Sequence, residues 1–395
     1  MAIKNIVILA GGRGSRLGKI TQNTPKPLLK IGNKPFLDQL LCKILKYNFN
    51  KIFILTSYKK NLFFKKYHNK IIHNSKLICL NEGKPKGTGG ALYRLKNKIK
   101  NNFILVNGDT FFDIDYNYLI NKKLNKNSVF MCLTSKKKTI NNTKLNNLDV
   151  YKNKINFKTN SSKLNNGGIY IINFKLLRKI KNRSCSFEND ILNKEIISNR
   201  VIGKYFDDFF IDIGSTQQLR YIKKNPSYLM NKCVFLDRDG VINKELGYIK
   251  DIKNFKLNNG VSKAIKYINK LNYLNIIITN QAAVGKGLLS EKKLNSIHFY
   301  MKKIIKKKNN SIIDDIYYCP YFKHSKINKF KKNSFDRKPN TGMFLKAINK
   351  WNINLKKSLY IGDQITDMQV AKKLSLKFYY KKNISLYNQI LPLIK

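Results

Sequence analysis

Residues 3–18 read IKNIVILAGGRGSRLG, an apolar run that leads directly into a glycine-rich turn. The run predicts a buried strand that ends at Leu9. Glycines in the turn after a strand allow backbone N–H groups to approach a phosphate closely, and Arg13 and Arg16 add positive charge there. The spacing Gly11-Gly12-x-Gly14 matches neither GxGxxG nor GxxxxGKS/T, so a dinucleotide-binding fold and a Walker P-loop are both disfavoured.

Strands and amphipathic helices alternate outward from this turn, which predicts a parallel α/β sheet. Over residues 1–110 the predicted strands are Ile3–Leu9, Lys51–Thr56, Leu77–Leu80 and Asn102–Val106, and the predicted helices are Pro35–Tyr47 and Gly90–Lys98. Further strands are predicted at Val129–Thr134, Gly168–Ile172 and Phe206–Ile213, followed by a helix from Ser215 to about Lys224.

A second alternation begins at Cys233 and restarts from its own first strand. Its predicted strands are Cys233–Leu236, Asn275–Thr279, Ile316–Cys319 and Ser358–Gly362, and its predicted helices are Gly260–Leu271, Ser290–Lys307, Thr341–Trp351 and Asp367–Leu374. Residues 225–232 contain a proline and show no clear periodicity, as is typical of a linker. The predicted fold class is α/β, with two Rossmann-like three-layer domains at residues 1–224 and 233–395.

The composition is strongly basic, with 78 Lys and Arg residues against 22 Asp and Glu residues and a formal net charge of +56. Nine of the cations are Arg, whereas Lys is spread along the whole chain with abundant Asn and Ile, as the codons of an AT-rich genome favour. A nucleic-acid binder more often concentrates Arg for bidentate contacts, so specific nucleic-acid binding is disfavoured. The charge is instead expected to draw anionic, phosphorylated substrates towards the protein.

The apolar runs are too short to span a bilayer, and the N-terminal residues do not have the layout of a signal peptide. The six cysteines form no CxxC pair and lie mostly among apolar residues, which predicts buried thiols in a reducing compartment. A cytoplasmic location without membrane association is therefore expected.

The segment after the glycine-rich turn reads TPKPLLKIG and holds Lys26 between two prolines, an arrangement that suits a cation directed at a phosphate. This order of motifs resembles the sugar-phosphate nucleotidyltransferase family. The matching segments are the GGRGSRL turn, the PKPL segment, Glu82–Ala91, Asn107–Asp109, Asn166–Tyr170, Phe187–Leu192 and Asp212–Ser215.

The resemblance covers residues 1 to about 222 and implies transfer of a nucleotidyl group to a sugar 1-phosphate, with release of pyrophosphate. It implies that Arg16 and Lys26 are catalytic and that Asp109 and Asp212 hold Mg²⁺. Substrate contacts are implied for Gly11, Gly12, Arg13, Gly14, Glu82, Gly87, Thr88, Asn166, Gly167 and Glu188. The family's lysine for the sugar phosphate falls in a segment that departs from its pattern, where Lys158 and Lys163 are the alternatives.

In the second half, Asp237 and Asp239 follow a predicted buried strand at positions i and i+2. One carboxylate of such a pair can attack phosphorus while the other moves a proton. Later strand ends and loops supply further polar groups, namely Thr279, Asn280, Arg337, Lys338, Asp363 and Asp367. Their order resembles the haloacid dehalogenase superfamily, and the pattern DRDGVIN…TNQ…RKP…GD is similar to that of D-glycero-D-manno-heptose 1,7-bisphosphate phosphatases and histidinol phosphatases.

This second resemblance runs from about residue 233 to 380. It implies that Asp237 is the nucleophile, forming an aspartyl-phosphate, and that Asp239 is the general acid and base. It assigns the transferring phosphoryl group to Thr279 and Lys338, with Asn280 and Arg337 on the substrate. Mg²⁺ would be held by Asp237, Asp363 and the backbone carbonyl of Asp239. These phosphatases often carry a zinc loop, but here one thiolate, Cys319, is left with His324 nearby, so no zinc is predicted.

A heptose bisphosphate phosphatase yields a heptose 1-phosphate, which a nucleotidyltransferase consumes. The sequence therefore predicts a bifunctional enzyme that makes a nucleotide-activated D-glycero-D-manno-heptose for cell-envelope polysaccharide such as lipopolysaccharide. The first half looks most like the guanylyltransferase branch, which indicates GTP. Alternatives are another sugar phosphate, another NTP, a histidinol-phosphatase-like second half and, from a different class, a nucleic-acid-binding protein. The sequence makes no prediction of the oligomeric state.

Overall fold

The computed structural model describes residues 2–47, 49–135, 146–157 and 164–394. The chain divides into two compact units, Met1–Leu229 and Met230–Lys395. The division falls within the stretch expected to be a linker. Part of that stretch, Pro226–Leu229, forms a 3-10 helix in the first unit, where Leu229 is buried. Within the described ranges, no helix is both long enough and apolar enough to cross a membrane.

The first unit is built on a 10-stranded mixed sheet with the order β10-β11-β13-β9-β12-β7-β1-β4-β6-β5. Its strands and those of two small two-stranded sheets, β2-β3 and β8-β14, are β1 (Asn5–Leu9), β2 (Lys30–Ile31), β3 (Lys34–Pro35), β4 (Lys51–Thr56), β5 (Ile71–Ile72), β6 (Ser75–Asn81), β7 (Phe103–Asn107), β8 (Thr110–Phe112), β9 (Val129–Ser135), β10 (Asn146–Tyr151), β11 (Lys154–Phe157), β12 (Leu164–Ile172), β13 (Val201–Tyr205) and β14 (Phe210–Asp212). Its helices are α1 (Phe36–Leu45), α2 (Lys60–Tyr67), α3 (Gly87–Leu92), α4 (Tyr116–Asn121), α5 (Lys175–Lys179), α6 (Asn193–Ile197) and α7 (Thr216–Lys224).

Alternating side chains of β1 enter different hydrophobic cores. Ile6 and Ile8 belong to one core and Val7 to the other. Since successive side chains of a strand point to opposite faces, both faces of the sheet are covered. The strand is apolar from Ile6 to Leu9 for this reason, and the glycine-rich turn with its arginines begins just beyond its end.

The second unit has a five-stranded parallel sheet with the order β17-β16-β15-β18-β19. Its strands are β15 (Cys233–Leu236), β16 (Leu274–Asn280), β17 (Asp315–Cys319), β18 (Leu359–Gly362) and β19 (Lys377–Tyr380). Its helices are α8 (Val261–Lys270), α9 (Ala282–Gly285), α10 (Glu291–Asn309), α11 (Gly342–Trp351), α12 (Ile365–Lys373) and α13 (Leu386–Ile390). Val234 and Leu236 enter one core while Cys233 and Phe235 enter the other, so this unit is also three-layered.

The predicted α/β class with two three-layer units is confirmed, and most predicted elements lie within a few residues of their observed ends. The single strand predicted over Phe206–Ile213 is wrong. Only Phe210–Asp212 is a strand, and it pairs with β8 rather than joining the large sheet. The exposed Asp207 accepts a hydrogen bond from Tyr205 Oη (2.6 Å), and the chain leaves the sheet at this acidic stretch.

Candidate active sites

A cavity of about 580 Å³ lies at the carboxyl ends of β1, β6 and β7 in the first unit. This is the edge of a parallel sheet at which α/β proteins commonly bind ligands. The predicted site residues that line it are Gly11, Gly12, Arg13, Gly14, Arg16, Lys26, Glu82, Gly87, Thr88, Asp109, Asn166, Glu188 and Asp212. The structure therefore brings together residues spread over two hundred positions of sequence.

The glycine-rich turn lies close to two of the polar side chains in the cavity. Gly14 has a left-handed backbone with φ 69°, and a β-carbon there would lie 3.2 Å from Lys26 Cε. A β-carbon at Gly11 would overlap the carboxylate of Glu82. Gly14 is favoured by its left-handed backbone, and Gly11 lets the turn approach the Glu82 carboxylate closely.

The nearly buried Lys26 forms an ion pair with the half-buried Asp109, with Lys26 Nζ 2.8 Å from Asp109 Oδ2. Burial opposes the ionisation of Asp109, but Lys26 and Arg16 outweigh it and lower the pKa of that carboxyl. Burial, together with the nearby Asp109 carboxylate, raises the pKa of Asp212. Two carboxylates that oppose each other's ionisation fit a divalent cation, whose charge would relieve the repulsion.

The small two-stranded sheet of β8 and β14 places the two acids together. Asp212 pairs with Thr110 across this sheet, and Ile213 N donates to Asp109 O at 2.9 Å. The Asp212 carboxylate is oriented by Gly214 N (2.8 Å to Oδ1) and by the Gln218 amide (3.3 Å to Oδ2).

Glu82 follows the last residue of β6 and is nearly buried. Burial raises the pKa of its carboxyl to about 7, against the opposing charge of Arg94. Arg94 itself donates to the backbone oxygen of Glu82 at 3.2 Å and so holds the strand end. A carboxylate in the cavity wall with such a pKa is the kind of group found at ligand sites.

Thr88 and Glu188 form one polar wall of the cavity. Thr88 Oγ1 donates to Glu188 Oε2 (2.8 Å) and accepts from Phe187 N (2.8 Å), which ties α3 to the turn at Phe187–Leu192. Asn166 Oδ1 accepts from Gly168 N at 2.9 Å, and its amide donates to the buried Tyr170 hydroxyl.

One predicted substrate residue is not in the cavity wall. A β-carbon at Gly167 would lie 2.6 Å from the Phe112 ring, so this glycine allows close packing behind the cavity. Its neighbour Gly168, with φ 68°, lines the cavity instead. The alternatives for the sugar-phosphate lysine, Lys158 and Lys163, lie outside the described residues.

In the second unit, three carboxylates converge at the carboxyl ends of β15 and β18. Asp237, Asp363 and Asp367 each offer an oxygen, and these oxygens lie within 4.8 Å of one another. Burial, with the charges of Asp367 and Asp239, raises the pKa of Asp237 to about 7, although Lys338 opposes the shift. The buried Asp363 Oδ1 has no hydrogen-bond partner in the part of the chain that the structure describes. An orphaned oxygen in a carboxylate cluster fits a hard divalent cation such as Mg²⁺.

Lys338 is the cation of this site and is almost completely buried. Its Nζ lies 2.9 Å from Asp237 Oδ1 and 2.6 Å from Asp367 Oδ1. Burial disfavours its charge, but the two carboxylates prevail and raise the pKa of Lys338. The lysine therefore stays protonated beside the predicted nucleophile.

The side chain of Asn280 holds the backbone of Lys338 in place. Its Oδ1 accepts from Lys338 N (3.0 Å) and its Nδ2 donates to Lys338 O (3.1 Å), so both ends of the amide hold the lysine backbone. In this arrangement the loop carrying Lys338 returns to the end of β16. The phosphate contact expected of Asn280 from the sequence stays a prediction.

Asp239 is held by a network that the sequence motif does not reveal. Arg238, which is 1% exposed, donates from Nη2 to both Asp239 oxygens at 2.8 Å. Asn243 donates to Oδ1 (3.0 Å) and Gln281 to Oδ2 (2.8 Å). On its other side, Arg238 Nη1 lies 3.2 Å from Nε2 of His298 on α10. Burial and the neighbouring Arg238 lower the pKa of His298 to about 3, so the ring is neutral and accepts this bond.

Two further predicted residues lie near these groups. Thr279 is buried at the end of β16 and its hydroxyl accepts from Gln281 Nε2 at 2.9 Å. Arg337 Nη1 donates to Tyr321 O at 3.3 Å, and its guanidinium lies 5.3 Å from the Phe322 ring centre.

The sequence analysis named Asp367 without giving it a role, and it did not include Gln281 and His298 among the site residues. Asp367 and Gln281 stand in the segments GDQITD and TNQ, so a role could have been given to both on that ground. His298 stands in no motif, and only the packing of α10 reveals it. The expected absence of zinc stays a prediction; Cys319 is buried, with Sγ 3.9 Å from Tyr321 O, and His324 is exposed.

Comparison with known proteins agrees with both halves of this arrangement. A model of the nucleotidyl transferase family matches residues 5–227, and a model of haloacid dehalogenase-like hydrolases matches residues 321–380. The D-glycero-beta-D-manno-heptose-1,7-bisphosphate 7-phosphatase of Haemophilus influenzae is 35% identical over 142 residues, which are 36% of this chain and 76% of that protein. The D-glycero-alpha-D-manno-heptose-1,7-bisphosphate 7-phosphatase of Burkholderia mallei is 37% identical over 143 residues, which are 36% of this chain and 75% of that protein.

Among solved structures, HddC from Yersinia pseudotuberculosis complexed with GMP-PN is 27% identical and covers 56% of this chain and 99% of its own, with a TM-score of 0.49. The family model covers more than half of the chain, and the phosphatase relatives are matched over about three quarters of their length. The chain therefore belongs to the nucleotidyl transferase family through residues 5–227 and, in addition, to the family of D-glycero-D-manno-heptose-1,7-bisphosphate 7-phosphatases.

Proposed function

We propose that this chain carries out two successive reactions in the synthesis of a nucleotide-activated heptose. It removes the 7-phosphate of D-glycero-D-manno-heptose 1,7-bisphosphate, and it transfers a nucleotidyl group from GTP to the resulting 1-phosphate. The pairing of the two families in one chain carries this proposal. A 7-phosphatase acting on a 1,7-bisphosphate leaves a sugar 1-phosphate, the class of substrate that a sugar nucleotidyltransferase requires. Because GTP is a cytoplasmic metabolite, a cytoplasmic location is part of the proposal.

In the phosphatase reaction, a carboxylate oxygen of Asp237 attacks the 7-phosphorus and the bond to the sugar oxygen breaks. Asp239 gives its proton to the departing sugar oxygen, and then takes a proton from the water that hydrolyses the aspartyl-phosphate. The Lys338 ammonium, 2.9 Å from Asp237, neutralises charge on the phosphoryl group. The bonds from Arg238, Gln281 and Asn243 fix the orientation of the Asp239 carboxylate.

Asp237 and Asp363, with Asp367 beside them, would hold Mg²⁺ in this unit, and Asp109 and Asp212 would hold it in the first unit. Bound there, the cation supplies positive charge that screens phosphate oxygens from the carboxylates. The protein itself provides the rest of the positive charge through Lys338 in one site, and Lys26 and Arg16 in the other.

In the transfer reaction, an oxygen of the sugar 1-phosphate attacks the α-phosphorus of the nucleotide and pyrophosphate leaves. The glycine-rich turn brings backbone N–H groups to the wall of the cavity, where they would receive the phosphates. Lys26 and Arg16 lie beside the two acids and would stabilise the charge that develops on the leaving pyrophosphate. Asn166 and Glu188 offer acceptors for sugar hydroxyls.

The choice of GTP is supported by Glu82. An ionised carboxylate presents two acceptor oxygens, and guanine presents N1–H and its 2-amino group side by side. Adenine has no hydrogen on N1 and no 2-amino group. We therefore expect Glu82→Gln to lower kcat/KM for GTP by roughly 10- to 100-fold, because one acceptor becomes a donor. Transfer from ATP should change little.

The test is transfer to supplied heptose 1-phosphate with each of the four NTPs in turn. Glu291→Gln, at a half-buried glutamate of the second unit that pairs with Lys329, is the matched control and should not alter the preference. Equal use of all four nucleotides by the unaltered chain would contradict the GTP assignment, and unchanged GTP preference in Glu82→Gln would remove Glu82 from base selection.

A further inference from the structure

Tyr360 places a hydroxyl group beneath the phosphatase site. It lies on β18 and is fully buried, and its ring packs edge-on against Phe344 (5.1 Å between ring centres) and Phe378 (5.7 Å). The ring is thus fixed in the core while its oxygen reaches the carboxyl end of the sheet. There Tyr360 Oη donates to Asp367 Oδ1 at 2.7 Å.

The ammonium of Lys338 has more acceptors within reach than it has protons. Its three N–H groups face Asp237 Oδ1 (2.9 Å), Asp367 Oδ1 (2.6 Å), Tyr360 Oη (3.1 Å) and Ile278 O (3.2 Å). The position of the ammonium therefore depends on how strongly each acceptor attracts it. The shortest of these contacts is to Asp367, not to the proposed nucleophile.

The Tyr360 hydroxyl weakens the attraction of Asp367 for the Lys338 ammonium. Asp367 is fully buried, and its Oδ2 accepts from the backbone N–H groups of Asp363 (3.2 Å) and Gln364 (3.1 Å). Among the described residues, the hydrogen bonds to Oδ1 come from Tyr360 and Lys338. Without the phenol, Oδ1 would depend on Lys338 alone, because a buried carboxylate cannot replace a lost donor with bulk water.

We propose that Tyr360 is a positioning residue of the phosphatase site. Its hydroxyl donates to Asp367 and weakens the pull of that carboxylate on Lys338, which keeps the ammonium on Asp237 and the transferring phosphoryl group. Tyr360 does not touch the substrate itself. The inference rests on the proposed phosphatase activity.

Such a role affects the chemical step more than substrate binding. Lys338 interacts most strongly with the phosphoryl group when negative charge is concentrated in the transition state. A displaced ammonium would therefore lower kcat, while the sugar contacts that set KM would be unchanged. A residue that served only to fill the core would lower thermal stability and leave kcat as it is.

The experiment compares phosphate release from heptose 1,7-bisphosphate by the full chain and by Tyr360→Phe, which keeps the ring. We expect kcat to fall about tenfold and KM to stay within about twofold, the effect of losing one buried hydrogen bond to a charged group. Tyr267→Phe is the matched control, because it removes a hydroxyl that donates to Ile394 O (3.3 Å) in the same unit. Its kcat should equal that of the unaltered chain.

A second comparison tests whether Tyr360 acts through Asp367. In an Asp367→Asn background, assayed at high enzyme concentration, Tyr360→Phe should slow the reaction less than twofold, because the carboxylate that it restrains is gone. A full tenfold effect in both backgrounds would overturn the inference, as would an unaltered kcat in Tyr360→Phe with only a lower Tm. If the unaltered chain releases no phosphate, the proposed phosphatase activity is contradicted and the inference falls with it.

Discussion

Asp109 and Asp237 occupy comparable positions in their units. Each lies just beyond the carboxyl end of a buried parallel strand, and each contacts a nearly buried lysine, Lys26 at 2.8 Å and Lys338 at 2.9 Å. Removing one partner of a buried ion pair leaves the other charge unpaired, which costs about 3–5 kcal/mol. Substitutions at these positions therefore need to preserve shape, and an amide in place of a carboxylate is the gentlest change.

Asp237→Asn is expected to abolish the phosphatase reaction, with kcat lowered by roughly 10³-fold or more, because an amide cannot form the aspartyl-phosphate. Transfer from GTP to supplied heptose 1-phosphate should proceed at the rate of the unaltered chain. The measurement is phosphate release and nucleotide-sugar formation on one preparation. Loss of both activities in a folded variant would contradict two independent sites.

The pKa of Glu82, raised to about 7 by burial, predicts how base preference depends on pH. In the proposed role, the carboxylate would accept from guanine above this pKa, and the protonated form would lose one acceptor below it. The ratio of kcat/KM for GTP to that for ATP should therefore fall about tenfold between pH 8 and pH 6. Glu82→Gln should show a flat ratio, and a flat ratio in the unaltered chain would count against this role.

At the scale of elements, strand ends were predictable and helix packing was not. β15 and β18 are short, largely apolar runs, and an aspartate follows each of them directly. Both the strands and the chemistry at their ends therefore follow from the sequence. The contribution of α10 does not, because His298 reaches Arg238 across 60 positions of sequence and its neutral state depends on burial. The predicted Phe206–Ile213 strand failed because apolar periodicity could not show that the chain leaves the sheet near Asp207.

The neutral His298 makes the second unit sensitive to acid. The pKa of this ring is about 3 in the folded protein, against an ordinary 6.5 when unfolded. Below pH 6.5 the unfolded chain binds a proton that the folded chain excludes, so stability is lost as the pH falls towards 3. Between pH 7 and pH 5 the unaltered chain should lose about 2 kcal/mol more than His298→Gln, measured by urea unfolding at each pH.

The exposed His324 provides the control for this comparison. His324→Gln should show the same loss of stability between pH 7 and pH 5 as the unaltered chain, because His324 lies on the surface, outside the hydrogen-bond network that joins His298 to Arg238. An identical acid response in His298→Gln would show that the His298 ring takes up a proton in the folded state.

For the molecule as a whole, two sites built for phosphates sit in a chain of net charge +56. Within each site the lysines are paired with aspartates, so the unneutralised charge belongs to the rest of the surface. A positive surface raises the local concentration of anionic substrates and speeds their encounter. We propose that the excess charge serves capture of phosphorylated substrates rather than binding of nucleic acid.

This interpretation predicts a marked effect of salt. Between 20 and 200 mM NaCl, kcat/KM for the heptose bisphosphate should fall on the order of 3- to 10-fold, with kcat little changed, because screening weakens long-range attraction. The less charged p-nitrophenyl phosphate is the control substrate and should show a shallower decline. Equal slopes for the two substrates would contradict electrostatic capture.

The most direct test of the central claim, that one chain performs both reactions in sequence, is a single incubation analysed by mass spectrometry. The chain is mixed with D-glycero-D-manno-heptose 1,7-bisphosphate, Mg²⁺ and equal amounts of the four NTPs. We predict a peak of GDP-heptose that is lost in Asp237→Asn and restored when heptose 1-phosphate is supplied. Bisphosphate that is recovered unchanged, or heptose monophosphate that accumulates without any nucleotide sugar, would contradict the claim.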